Sequence, residues 1–185
     1  MLNTLSRNNI LTGLIWDSSN HENMDAGYMR WMVNIRRSHR MYVYRVQDDI
    51  TTNELVGYSI KTAPGCESFA VHLRKLYGDV LYHFMAGDEQ VYLLIIMDGI
   101  IISGSDCVIT ETFFGEILSS LPESKYSRLR VSEITPAQLD CIAESCKENQ
   151  LIYKKKQRIF WTGVAGGVAL LVICSSIFLY SIISG

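Results

Sequence analysis

Hydrophobic positions along the chain fall into three patterns: short alternating runs, helix-spaced faces, and one long uncharged block at the end. Ile10 to Trp16 (ILTGLIW) is apolar and stops at a polar run from Asp17 to Asn23, which predicts a short buried strand and then a loop. Met24 to Arg37 predicts a helix, with Met29, Met32, Val33 and Arg36 at helical spacing. Met41 to Val46 alternates and is rich in β-formers, and Glu54 to Ile60 follows as a second strand across an Asp48-Asp49 turn. Ala63-Pro64-Gly65 is a break. Ser68 to Tyr77 predicts a helix stopped by Gly78.

Asp79 to Met85 and Gln90 to Met97 predict strands around Gly87-Asp88-Glu89. Asp98-Gly99 between two apolar runs is a hairpin signal, because both central positions of a type I′ turn need positive φ. Val91–Ile96 and Ile100–Ile102 are therefore expected to pair antiparallel. Thr110 to Leu121 predicts a helix capped by Thr110, with Phe113, Phe114, Ile117 and Leu118 inward and Pro122 ending it. Tyr126 to Val131 predicts a strand. Pro136 to Glu148 predicts a last helix with proline at its favoured first position.

Ile159 to Ile183 contains no charged residue. A helix of that length spans about 37 Å at about 1.5 Å per residue, enough to cross a hydrocarbon core about 30 Å thick with some tilt. Lys154, Lys155, Lys156 and Arg158 stand immediately before it. Each such charge costs roughly 2.5–3.5 kcal/mol at the bilayer centre, and cytoplasmic flanks carry excess Lys and Arg. The expectation is one transmembrane helix, with the preceding chain on the cytoplasmic side of the membrane. A core helix of this length would carry polar residues on a solvent face, and this stretch offers only Ser, Thr and Cys. Trp161 and Tyr180 lie near its ends, as interfacial aromatics do. Within it, Gly163 and Gly167 form a GxxxG overlapped by Ala165 and Ala169, a spacing that lets two helices approach closely.

Charge sharpens this division. All 19 acidic residues precede Leu151, and four of the 17 basic ones form the collar, so 13 basic against 19 acidic leaves the domain at net −6. A nucleic-acid binder would show the opposite balance, and no helix-turn-helix pattern is present. The five cysteines, Cys66, Cys107, Cys141, Cys146 and Cys174, make no CxxC pair and no zinc spacing, which predicts reduced thiols. The histidines, His21, His39, His72 and His83, sit in no metal or nucleophile motif. There is no GxxxxGK(S/T), GxGxxG or GxSxG, so no catalytic residue, cofactor or metal is assigned. Asp98 and Asp106 are the pair to weigh as metal ligands, against a turn and a loop end. Arg30, Arg36, Arg37 and Arg40 form a basic group suited to an acidic partner or lipid headgroups. Arg36 and Arg40 share a face only if the helix runs that far.

The expected organisation is α/β (α+β): a first subdomain at 1–64, a second at 65–149, a basic juxtamembrane collar at 150–158 and a transmembrane helix at 159–183. In this order of elements the chain resembles the type IVb pilus inner-membrane assembly proteins, the family of BfpC and the PilO-type pilus accessory proteins, over their N-terminal cytoplasmic region and transmembrane segment. The matching stretches are Gly13-Leu14-Ile15-Trp16, the hairpin from Val91 to Asp106 (VYLLIIMDGIIISGSD), the helix after it, and the single apolar span. The resemblance implies two α/β subdomains similar to the cytoplasmic domains of PilM and GspL. It implies a scaffold without nucleotide turnover, docking the cytoplasmic assembly ATPase of the secretion superfamily and the polytopic inner-membrane platform protein. Family members usually continue into a periplasmic region, and this sequence ends at Gly185, so periplasmic contacts are not carried over. The competing class is a membrane-anchored enzyme or sensor of unknown ligand.

Overall fold

In the computed structural model, residues 2–17, 26–47, 52–60 and 66–184 are described, without side chains at 47, 52, 53 and 173–184. The fold is mixed α/β, with three sheets and five α-helices among these residues. It divides into two compact units, Met1–Lys147 and Glu148–Gly185. The turns expected at Asp48-Asp49 and Ala63-Pro64-Gly65, and His21, lie outside the described residues.

The centre of the first unit is a hairpin of β6 (Leu81–Gly87) and β7 (Gln90–Met97). Six successive residues of β7, Val91 to Ile96, are buried, so both faces of this strand are covered. Tyr92, Leu94 and Ile96 face the larger core, while Val91, Leu93 and Ile95 face a second cluster under Phe114. Asp98 and Gly99 take φ values of 53° and 71°, as a type I′ turn requires, and lead into β8 (Ile100–Ile101) against the end of β7. β9 (Cys107–Thr110) then pairs with the beginning of β7. The strand beside β7 is thus interrupted by residues 102–106, and Ser105 Oγ accepts the Ile95 N–H inside the gap. β10 (Val131–Glu133) adds to β6 in parallel. The strand expected over Tyr126–Val131 starts only at its last residue. Tyr126 to Leu129 is held in turns, with Leu129 N–H donating to the Tyr126 carbonyl.

The N-terminal half surrounds this centre. α1 (Leu2–Arg7) precedes β1 (Ile10–Leu11) and β2 (Ile15–Trp16). The single strand expected over Ile10–Trp16 is split in two because Gly13 takes φ 76°. β1 pairs in parallel with β5 (Glu67–Ser68), and β2 pairs with β4 (Thr52–Ser59), which also pairs with β3 (Arg40–Gln47). α2 (Ala26–Ser38) buries Met32 and Ile35 against Tyr58. Its inward face is therefore Tyr28, Met32 and Ile35, spaced four and three apart, and Met29, Val33 and Arg36 are exposed.

α3 (Phe69–Tyr77) starts one residue later than expected, with Ser68 as its cap, and stops at Gly78 as expected. Ser68 accepts the Val71 N–H, and Gly78 ends the helix at φ 75°. α4 (Glu111–Ser120) has Thr110 accepting from Phe113 N–H. Of the four residues expected to face inward, Phe114 is buried and Ile117 and Leu118 pack at the edge of the core, but Phe113 is 50% exposed. A short 3-10 turn over Leu121–Glu123 holds Pro122. α5 (Pro136–Ser184) is one helix of 49 residues, against the 13 expected as far as Glu148. Ile142 and Cys146, on its first turns, belong to the larger core, which also takes residues from Leu5 to Trp16 and Val46.

Candidate functional site

Sequence spacing gives no hint of the most connected polar group. Asp106, in the gap between β8 and β9, is fully buried and accepts four hydrogen bonds. Oδ1 accepts from Gly13 N–H (2.7 Å) and the Tyr92 hydroxyl (2.7 Å), and Oδ2 from Leu14 N–H (3.1 Å) and Trp16 Nε1–H (3.1 Å). Burial pushes its carboxyl above the ordinary carboxylate range, and the four donors pull it back. The neighbouring carboxylate holds the Tyr92 phenol protonated far above its usual pKa, with burial as the larger cause. A carboxylate has about four lone-pair sites, and all four are used. Asp106 thus ties residues 13–16 to β7 and has no capacity left for a ligand. Asp98, in the exposed hairpin turn, pairs with Arg128. Among the described residues no group of three or more His, Cys, Asp or Glu is placed to hold a metal.

A second polar group joins three elements. His72 on α3, only 2% exposed, has Nε2 3.1 Å from Glu67 Oε2 on β5 and Nδ1 3.1 Å from Ser145 Oγ on α5. A hydrogen on Nε2 is donated to the carboxylate, and Nδ1 shares the second hydrogen bond with the serine hydroxyl. Nearby, the Tyr44 hydroxyl is buried with no hydrogen-bond partner among the described residues, and burial next to the negative Glu67 keeps it protonated. Cys146 is buried close to the same carboxylate, and its thiol is pushed up to about 12. Cys66 is also buried, Cys107 half-buried and Cys141 exposed, none of these four in a disulfide.

The expected arginine group is dispersed. Arg36 pairs with Asp17 at 2.8 Å, which raises its pKa further. α2 ends at Ser38, so Arg40 does not share its face and instead lies over the Tyr42 ring at 5.7 Å on β3. Arg30 and Arg37 are exposed on α2. Lys154, Lys155, Lys156 and Arg158 are all exposed on α5. Gly163 and Gly167 lie further along the same helix, and a Cβ at either would meet nothing within 4 Å. Among the described residues no helix is long and apolar enough to cross a membrane. The uncharged stretch runs on in the sequence from Val172, the last residue with a described side chain, to Ile183.

One cleft, of about 360 Å³, opens between α4 and the β7–β9 face. Leu93, Ile95 and Ile109 line one side and Phe113, Ile117 and Leu121 the other, with no charged residue in its wall. Its polar groups are hydroxyls, among them Ser105, Ser124 and Tyr126. Periodicity could have flagged it only through Phe113, an aromatic one step off the buried helix face. In comparison with known proteins, the chain matches no family model and no curated sequence.

Proposed function

We propose that this protein is a non-enzymatic, membrane-tethered adaptor, an inner-membrane scaffold of a type IV pilus assembly machine of the type II secretion kind. Its N-terminal domain works in the cytoplasm. The observation that carries the tether is α5. A single helix begins in the packed domain, where Ile142 and Cys146 are buried, and carries the exposed collar Lys154, Lys155, Lys156 and Arg158. It then enters a stretch without charge to Ile183. The cytoplasmic orientation follows from the cost of moving four charges through the bilayer. The acidic domain suits an anionic membrane surface, which repels net −6 and attracts the collar. Tethering makes docking local and raises effective concentration, so modest contacts suffice. The partners on this reading are the assembly ATPase and the polytopic platform protein that the resemblance implies. Pairing of α5 through Gly163 and Gly167 would bring two copies together.

The test uses the full chain. Resistance to carbonate extraction from membranes, a cytoplasmic N-terminus in reporter fusions, and co-purification with the assembly ATPase without nucleotide binding would support the adaptor. Release by carbonate overturns the tether. Tight ATP or metal binding with no protein complex overturns the adaptor.

The competing reading, a membrane-anchored enzyme, has the Glu67–His72–Ser145 chain in its favour. Against it, Ser145 lies inside a helix and the cleft beside α4 includes none of the three residues. Labelling of Ser145 by a fluorophosphonate would establish a nucleophile there.

A further inference from the structure

The sheet β2-β4-β3 is covered on only part of its outer side. Met32 and Ile35 of α2 pack on Tyr58, with Ile15 of β2 and Val56 of β4 beside them. The register places Met41 opposite Tyr58 and Val43 opposite Val56, so these β3 residues lie on the same side as α2. Yet Met41 is 57% and Val43 45% exposed. Helix α2 thus leaves β3 open as a shelf next to it. Arg36, held by Asp17 just beyond β2, marks the flank of α2 on the β2 side. By helical spacing Trp31 lies on the flank of α2 opposite Arg36, and it is 42% exposed. Met41 and Val43 form the floor of this shelf, and Trp31 is the exposed aromatic on the flank of α2 away from Arg36.

Charge says what covers it. From Ala26 to Gln47 the chain holds five arginines and no Asp or Glu, within a domain of net −6. Arg36 and Arg45 are neutralised by Asp17 and Glu54. Arg30 and Arg37, seven residues apart and so on one outward face, are exposed, and neither has an ion-pair partner among the described residues. Trp and Arg around an apolar floor are the residue types that dominate protein interfaces. A membrane surface is the poorer fit. A helix lying on lipid presents its apolar stripe downward, whereas the apolar stripe of α2 is buried on Tyr58 and its outward face carries Arg30 and Arg37.

We infer that the α2–β3 shelf, built from Trp31, Met41 and Val43 under Arg30 and Arg37, docks an acidic amphipathic segment of a partner protein. Leucine-type side chains lie on the shelf, and carboxylates meet the two arginines. The inference rests on the adaptor reading for its purpose, but the two fail separately, since this binding is measured in detergent without any membrane.

The experiment measures anisotropy of a fluorescein-labelled amphipathic peptide of leucine and glutamate against the full chain in dodecylmaltoside, with a leucine–lysine peptide as counterpart. Supporting results are binding of the acidic peptide only, weakened by salt. Trp31→Ala or Met41→Ser should each weaken it about tenfold, Arg30→Glu with Arg37→Glu should abolish it, and neutralising the collar should leave it unchanged. All four substituted side chains are exposed, so unchanged thermal melting in each variant confirms an intact fold. Loss of binding only with the collar, or equal binding of both peptides, overturns the inference. Binding of short-chain phosphatidylglycerol alone, sensitive to the arginine variants, makes this a lipid face and overturns it. So does a concentration-dependent dimer dispersed by Met41→Ser, which would seat a second copy there.

Discussion

Replacing Asp106 should expose how much of the fold depends on one buried carboxylate. Asp106→Ala removes the acceptor for Leu14 N–H, Trp16 Nε1–H and the Tyr92 hydroxyl, all buried, and for the partly buried Gly13 N–H. An unsatisfied buried donor costs about 1–3 kcal/mol, so three cost roughly 3–9 kcal/mol. Removing the buried charge returns several kcal/mol of desolvation, leaving a net loss of about 2–5 kcal/mol. At about 2–4 °C per kcal/mol for a chain of this size, the midpoint should fall by roughly 5–20 °C. Asp106→Asn is the sharper probe. An amide keeps one oxygen but turns an NH₂ towards two of the four donors whichever way it is flipped, so it should cost nearly as much as alanine. Tyr92→Phe removes one charge-assisted bond and should cost about 1.5–3 kcal/mol. Far-UV circular dichroism melts of the full chain in detergent measure all three. An Asp106→Asn midpoint within about 1 °C of the unsubstituted protein would refute the claim that all four acceptor sites are used.

Tyr44→Phe deletes the hydroxyl that is buried without a partner among the described residues and should stabilise by about 1 kcal/mol, read as a rise of about 2–4 °C in the same melts; a fall would mean the hydroxyl is satisfied in solution. Gly57→Ala puts a Cβ 2.8 Å from Leu14 Cδ2 and 3.2 Å from the Trp16 ring, both fully buried, and should cost about 1–3 kcal/mol, with unchanged stability counting against this packing. Burial lowers the pKa of His83, against Phe114, below 6.5, with Glu133 opposing. The folded state then prefers the neutral ring, so stability from this group is full above pH 6.5 and declines as pH falls through 6.5 towards the folded value. His83→Gln should flatten the fall in melting temperature between neutral and acidic pH, and an identical slope would remove His83 from the account.

What could be read from the sequence was local. The Asp98-Gly99 hairpin, the Thr110 cap, the Gly78 stop and the proline opening α5 each rest on the conformational needs of one to four adjacent residues, and each stands as expected. The misreadings share another cause. Met29 and Val33 satisfy a helical spacing as well as Tyr28 and Ile35 do, and only the position of Tyr58, across a loop and a hairpin, decides which face turns inward. Phe113 beside Phe114 poses the same ambiguity, resolved by where β7 lies. Periodicity locates an apolar stripe to within one residue of helix rotation, and at that margin tertiary contact decides.

Asp106 lies beyond that margin altogether. Its donors are 14, 90, 92 and 93 residues away, and in sequence it is one acidic residue after a Gly-Ser pair, indistinguishable from a loop end. A chain that spends a buried carboxylate on its own backbone at Gly13 and Leu14 fixes β2, and β2 pairs Ile15 and Trp16 with Tyr58 and Gly57. Tyr58 is the residue on which α2 rests. The link from Asp106 to the α2–β3 shelf is therefore three contacts long, through β2, Tyr58 and Ile35. If it carries positioning as well as stability, Tyr92→Phe, which leaves every residue of the shelf in place, should weaken acidic-peptide binding at temperatures where the domain is still fully folded. Peptide binding unchanged by Tyr92→Phe well below its melting point would confine Asp106 to stability and show that α2 holds its place on Tyr58 without help from the core.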